Sequence, residues 1–169
     1  MSFQGIKLLI AGAMQSLGQV LDAGPKSVRF KQKTPLSNRV GLVKLSRGAT
    51  VQCIFDPYFD DKAIASLGTF VNLGLQLTIE VKILITDKVK KRISQLVKDD
   101  FETEYGSKLN IRICDSNKEH RRFLLLSSAE SIVVGCSLNS LDKNEAAYVE
   151  SSQEDRDFFE DQWKLSGAL

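Results

Sequence analysis

Polar residues that could act on a phosphate group flank two short apolar segments in the last third of the chain. His120, the single histidine, lies two residues before Arg122, and Ser137 and Asn139 follow the second segment. Residues two apart on a strand point to the same face, so the two pairs converge if the segments are neighbouring strands. An imidazole can attack phosphorus, a guanidinium and an amide can hold its oxygens, and a carboxylate such as Glu145 can fix the imidazole tautomer. The set predicts phosphoryl chemistry.

Each of these residues also has an ordinary structural interpretation. A lone histidine before a strand is commonly a surface residue, and Glu145 is equally compatible with a helix cap or a surface acid. Ser137 and Asn139 also fit a plain turn after a strand. Their occurrence together with His120 and Arg122 favours the functional interpretation.

The apolar pattern predicts the elements that position these side chains. Apolar and β-branched runs predict strands at residues 50–55, 76–86, 109–114, 122–126, 132–134 and 146–149. Helical spacing predicts helices at residues 5–23, 60–72, 87–105 and 154–163. The last should pack Phe158, Phe159 and Trp163 in the core or at a dimer interface. Strands that alternate with helices favour an α/β fold with a mixed, mostly parallel central β-sheet flanked by helices.

The net charge of +2 conceals a basic segment near the start of the chain. Residues 25–47 contain seven Lys and Arg residues and no Asp or Glu. Such a run attracts phosphate groups. We therefore predict that nucleic acid contacts Lys26, Arg29, Lys31, Lys33 and Arg39. The run is equally compatible with a solvated face or a flexible arm.

The composition is that of an ordinary globular chain. Its 169 residues, 43% of them hydrophobic, suffice for a core, and no apolar stretch approaches the ~20 residues that cross a membrane. Three cysteines without a C-x-x-C pair argue against a disulfide framework or a cysteine-ligated zinc, and they predict a cytoplasmic location. The predicted organisation is an N-terminal helix and basic link at residues 1–38, followed by an α/β domain at residues 39–169.

Residues 120–139, with Lys143-Asn144-Glu145 after them, resemble the phospholipase D superfamily, which includes nucleases. The family pattern is H-x-K-x4-D followed by G-S-x-N. This sequence has His120-x-Arg122-x4-Ser127 followed by Gly135-Cys136-Ser137-Leu138-Asn139. Arg122 therefore stands where the family has Lys, Ser127 stands where it has Asp, and Cys136 is inserted. The resemblance runs from about residue 50 to the C-terminus and leaves the first fifty residues unexplained.

The resemblance implies a metal-independent phosphodiesterase with a phospholipase D-like fold, one motif per chain and no cofactor. Family members combine two motifs in one site, so a homodimer would bring two copies of His120 to one phosphate. One copy would form a phosphohistidine and the other would act as general acid. Arg122 and Asn139 would bind the phosphate, Ser137 would donate a hydrogen bond to it, and Glu145 would orient His120.

The basic run favours nucleic acid over phospholipid as the substrate, with DNA preferred over RNA, and no membrane partner is expected. The resemblance also fits a nuclease within a larger defence or restriction assembly. Two alternatives remain open. The altered motif suits a module of the same fold that binds nucleic acid without cutting it, and it suits a dimerisation domain with a vestigial site.

Overall fold

The computed structural model describes residues 24–114 and 121–169, and its strands form one eight-stranded sheet in the order β1-β7-β6-β5-β2-β3-β4-β8. The strands are β1 (Ser27–Arg29), β2 (Thr50–Phe55), β3 (Gln76–Thr86), β4 (Lys108–Cys114), β5 (Phe123–Leu126), β6 (Glu130–Val134), β7 (Ala146–Ser151) and β8 (Gly167–Ala168). The predicted helix at residues 5–23 and the predicted nucleophile His120 lie outside the described residues.

The prediction of a mostly parallel sheet is wrong. β2 pairs with β3 and β3 with β4 in parallel, whereas the other five pairings between described strands are antiparallel. Parallel neighbours need a crossover connection, and helices supply one between β2 and β3 and another between β3 and β4. β5, β6 and β7 follow one another without a crossover helix, so they pair antiparallel.

Helices cover both faces of the sheet. They are α1 (Pro35–Leu45), α2 (Asp61–Asn72), a 3-10 helix (Asp87–Arg92), α3 (Gln95–Tyr105) and α4 (Gln153–Leu165). Side chains of α1, α2 and α3 share one core cluster with the sheet, and α4 packs in a second cluster through Phe159 and Trp163. Phe158 is partly buried there, so the predicted core role of this aromatic trio is confirmed. No helix in the described part of the chain has the length and apolarity to cross a membrane.

Several element boundaries follow the predicted pattern, and one does not. β2 and β3 begin and end at the predicted residues. α2 starts after Asp60, whose carboxylate accepts hydrogen bonds from the Lys62 and Ala63 backbone N–H groups at 3.1 and 3.2 Å, as an N-cap does. The single helix predicted at residues 87–105 is instead divided, because Ile93 and Ser94 have extended backbone between the 3-10 helix and α3.

One end of the sheet, here called the site end, collects the segments that carry the predicted site. β2 ends where β5 begins, since Phe55 pairs with Phe123, and Phe123 pairs in turn with Val133 near the end of β6. Arg29, the last residue of β1, pairs with Ala146, the first residue of β7. The residues that follow β1, β2, β3 and β6, or precede β5 and β7, therefore meet at this end.

Candidate functional site

A buried carboxylate, Asp56, organises the centre of the site end. It is 1% exposed and follows β2 directly. Its Oδ1 accepts a hydrogen bond from the Tyr58 backbone N–H at 3.0 Å, and its Oδ2 accepts bonds from the Ser137 hydroxyl at 2.7 Å and the Leu138 N–H at 2.9 Å. The Nε atom of Arg122 lies 3.7 Å from Oδ1. Asp56 thus ties the end of β2 to the residues before β5 and after β6.

Opposing effects act on the ionisation of Asp56. Burial raises the pKa of Asp56, because removal from water disfavours the charged form. The hydrogen bonds from Ser137, Leu138 and Tyr58 and the positive charge of Arg122 act in the opposite direction on that pKa. Since both carboxylate oxygens already accept hydrogen bonds, the Asp56 side chain holds Tyr58, Ser137 and Leu138 in position.

A pocket of about 430 Å³ opens beside this centre. Its lining residues are Tyr58, Arg92, Arg122, Gly135, Cys136, Ser137, Asn139, Ser140, Lys143 and Glu145. Three of these side chains are basic and one is acidic, so the pocket, here called the arginine pocket, suits an anionic group. Arg92 comes from the end of the 3-10 helix and Lys143 from the segment before β7.

Four of the five predicted catalytic residues border the arginine pocket, namely Arg122, Ser137, Asn139 and Glu145. His120 lies outside the described residues, so their catalytic roles stay predictions. The Ser137 hydroxyl donates to Asp56, and the Asn139 amide donates to the Tyr58 carbonyl at 3.0 Å. Both polar groups therefore make structural hydrogen bonds that hold the pocket wall.

Ser127, which stands where the resembling family has Asp, lies far from this pocket. It follows β5, whereas Arg122 precedes it, so the length of the strand separates the two residues. Ser127 exchanges hydrogen bonds with Thr50 at the start of β2: its N–H donates to the Thr50 carbonyl at 2.8 Å, and its hydroxyl accepts from the Thr50 N–H at 3.1 Å. It supports the opposite end of the sheet.

Glu145 also borders a second pocket, of about 430 Å³, here called the link pocket. It is lined by Arg29, Phe30, Lys31, Asn144, Glu145 and Ala146. A Cβ atom on Gly135 would lie 2.9 Å from the Glu145 Oε2 atom, so glycine at position 135 makes room for the Glu145 carboxylate. Because Glu145 lines both pockets, they adjoin each other.

The five predicted nucleic-acid contacts are divided by the fold. Arg29 and Lys31 line the link pocket. Lys26 and Lys33 are exposed beside them in the segment that carries β1. Arg39 instead lies in α1, half-buried, with its guanidinium donating to the Ser66 hydroxyl of α2 at 3.4 Å. The predicted basic link therefore contains an edge strand and the first turn of a helix.

The sequence analysis missed basic residues that the fold adds to the site end. Lys88, Lys90, Lys91 and Arg92 are all exposed on the 3-10 helix after β3, and Arg92 lines the arginine pocket. Lys143 was noticed only as a neighbour of Glu145. The sequence signal that could have indicated these residues is the presence of four bases within residues 88–92. These bases reach the site end because β3 pairs in parallel with β2, which places the 3-10 helix beside the end of β2.

The Cys136 thiol in the wall of the arginine pocket is not an activated nucleophile. Burial, helped by the nearby charge of Glu145 and opposed by that of Arg122, raises its pKa to about 11. A thiol with this pKa is protonated at neutral pH and therefore unreactive. Among the described residues, no group of three or more His, Cys, Asp or Glu side chains could hold a metal ion.

Comparisons with known proteins find the fold but no family. No family model matches the chain, and no curated protein matches it. Among solved structures it is similar to TrmBL2, an archaeal chromatin protein whose structure shows a novel mode of DNA binding, with a TM-score of 0.52 and 14% sequence identity. The match covers 98% of this chain and 66% of that chain, so this chain spans about two thirds of the length of TrmBL2. At this identity the likeness shows a shared fold.

Proposed function

We propose that this chain binds nucleic acid through its site end. The observation that carries the proposal is the convergence of basic side chains from separate segments on two adjoining pockets. The cations are Arg29, Lys31, Arg92, Arg122 and Lys143, and together they are here called the basic surface. Adjoining cation-lined pockets match a polymer that carries a phosphate at every nucleotide.

Four of the five cations of the basic surface have no ion-pair partner among the described residues, although Glu145 lines both pockets. Within the described residues, no acidic side chain forms an ion pair with Arg29, Lys31, Arg92 or Lys143. Arg122 lies beside Asp56, whose raised pKa reflects the cost of holding a negative charge in a buried place. Bound phosphate groups would relieve the mutual repulsion of these cations and release counterions, which drives association with nucleic acid.

The contacts favour binding over cleavage. The Ser137 hydroxyl and the Asn139 amide are engaged by Asp56 and by the Tyr58 carbonyl, and Ser127 lies at the opposite end of β5. TrmBL2, which shares the fold, is a DNA-binding chromatin protein and supports DNA as the nucleic acid. The phospholipase D resemblance, its phosphohistidine mechanism and its homodimer stay predictions.

The proposal is tested by fluorescence anisotropy with the full chain and labelled DNA. The double variant Arg92→Gln/Lys143→Gln should bind about tenfold more weakly, because it loses two phosphate contacts. The matched control Lys108→Gln/Lys164→Gln removes two exposed bases that line neither pocket, and it should bind like the wild type. Equal affinities of the two double variants would overturn the proposal.

A cleavage assay separates binding from hydrolysis. DNA and RNA are incubated with the protein in EDTA, and the expected result is that both stay intact. Cleavage that persists in EDTA and disappears in the variant His120→Ala would instead support the predicted metal-independent phosphodiesterase and contradict a purely binding role.

A further inference from the structure

One aromatic side chain stands apart from the core at the mouth of the arginine pocket. Tyr58 is 36% exposed, whereas Phe55, Phe123 and Phe159 of the sheet and α4 are at most 1% exposed. One side of the Tyr58 ring faces the Arg122 guanidinium, whose Cζ atom lies 5.3 Å from the ring centroid. A half-exposed ring beside a cation, at the edge of a pocket, can stack against a planar group.

The backbone around this ring is held firmly in place. The Tyr58 N–H donates to Asp56 at 3.0 Å, and its carbonyl accepts from the Asn139 amide at 3.0 Å. The preceding carbonyl, that of Pro57, accepts a hydrogen bond from the Thr86 hydroxyl at 2.9 Å. Because the backbone that carries the ring is already fixed, less freedom is lost when a partner stacks on the ring.

We propose that Tyr58 stacks on an unpaired base, so that the basic surface prefers single-stranded nucleic acid. This inference rests on the function proposed above. In a duplex every base is already stacked on its neighbours and paired, so a single ring on a protein surface cannot reach a base face without disrupting the helix. In a single strand the bases are free to leave the stack, and aromatic side chains beside a basic groove bind them with little regard to sequence.

The arrangement offers a separate place for the base and for the phosphate of one nucleotide. A base on Tyr58 would place its phosphate toward the cations of the same pocket, where Arg92 and Lys143 lie beside Arg122. The pocket volume of about 430 Å³ is in the range of pockets that hold small ligands, which suits a nucleotide unit. The neighbouring link pocket, with Arg29 and Lys31, then offers a place for the next phosphate along the strand.

The test compares a single strand that has bases with an abasic strand of the same phosphate number, and adds a duplex and an RNA strand. Labelled oligothymidine of about 12 nucleotides, the abasic oligomer of the same length, the matching duplex and oligouridine are titrated with the wild-type protein. The single strands with bases should bind more tightly than the abasic oligomer and the duplex. Comparison of oligothymidine with oligouridine shows whether DNA or RNA is the better source of the unpaired base.

Two variants of Tyr58 complete the experiment. Tyr58→Leu should weaken oligothymidine binding about tenfold and leave abasic binding unchanged, because only the stacking contact is lost. Tyr58→Phe keeps the ring and should bind like the wild type, and thermal unfolding shows that both variants are folded. Equal weakening of abasic and base-containing strands by Tyr58→Leu, or tighter binding of the duplex, would overturn the stacking proposal alone. Failure of every probe to bind would overturn the proposed function as well.

Discussion

The contacts of Asp56 make it the residue on which the geometry of the arginine pocket depends. In Asp56→Asn an amide NH₂ group must face either the Tyr58 N–H or the Ser137 and Leu138 donors, because each carboxylate oxygen accepts from one of these sets. A buried donor without an acceptor costs about 1–3 kcal/mol, so we expect the free energy of unfolding at neutral pH to fall by that amount. Urea unfolding of the variant and the wild type measures this change in the free energy of unfolding.

The same pair of proteins gives a prediction about pH. Burial raises the pKa of Asp56 above 3.8, so the folded protein takes up a proton at this site more readily than the unfolded chain. The stability that this adds is complete below pH 3.8 and is lost as the pH rises through the folded-state pKa. The wild type should therefore lose stability relative to Asp56→Asn as the pH rises above 3.8 toward the raised folded-state pKa. If the wild type instead gained stability relative to Asp56→Asn as the pH rises, the hydrogen bonds to the carboxylate would outweigh the effect of burial on its pKa.

At the residue scale, the sequence pattern predicted which side chains lie close together but not what each of them does. The alternation rule predicted that Arg122 and Ser137 meet at one end of the sheet, and the antiparallel pairing of β5 with β6 brings both to the arginine pocket. The importance of Asp56 was not predictable, because Asp-Pro is also ordinary turn chemistry and burial depends on the packing of distant segments. Tyr58 follows the same turn, and its place beside the arginine pocket likewise depends on that packing.

At the scale of elements, the strands of the centre were predictable and the direction of their pairing was not. Apolar runs marked β2 and β3 to the residue, since buried strands need such runs. Strand direction depends on the connections, and the prediction of a mixed, mostly parallel sheet underestimated the antiparallel pairings of the late strands, which lack crossover helices. The predicted single helix at residues 87–105 is wrong because the extended backbone of Ile93 and Ser94 separates the 3-10 helix from α3.

The segment after β1 is fixed to the rest of the site end by Asn38 of α1. Its buried amide donates to the Lys31 carbonyl at 2.8 Å and the Leu141 carbonyl at 2.6 Å, and its oxygen accepts from the Lys31 N–H at 3.0 Å. Asn38→Ala removes these bonds from the Lys31 N–H and the Leu141 carbonyl, whereas the Lys31 carbonyl keeps a hydrogen bond from the Thr34 hydroxyl at 3.0 Å. We expect its free energy of unfolding to fall by about 1–3 kcal/mol, and its DNA affinity to fall because Lys31 loses its fixed position.

The matched control for Asn38 is Asn72→Ala. Asn72 is exposed at the end of α2, and its amide bonds the Tyr105 hydroxyl at 3.0 Å. Its loss should change stability by less than about 0.5 kcal/mol and leave DNA affinity unchanged. Chemical denaturation and anisotropy titrations of both variants measure these effects. Similar results for the two would mean that Asn38 does not position the link pocket.

For the molecule as a whole, the uneven distribution of charge matters more than its net value of +2. The basic surface and the exposed bases of the 3-10 helix lie at the site end, whereas Glu154, Asp157, Glu160 and Asp161 are exposed on α4, which covers one face of the sheet. A polyanion is attracted to the first region and repelled by the second, so the field of the whole chain orients it toward the two pockets.

This separation of charge leads to a prediction about salt. If the five cations of the basic surface each contact a phosphate of a single strand, the logarithm of the association constant should fall with the logarithm of salt concentration with a slope of about −3.5. Arg92→Gln/Lys143→Gln should have a shallower slope, by about 1.4, because two of those contacts are gone. Anisotropy titrations across a range of NaCl concentrations measure both slopes. A wild-type slope near zero would mean that phosphate contacts do not drive binding, and equal slopes for the two proteins would mean that Arg92 and Lys143 do not contact phosphates.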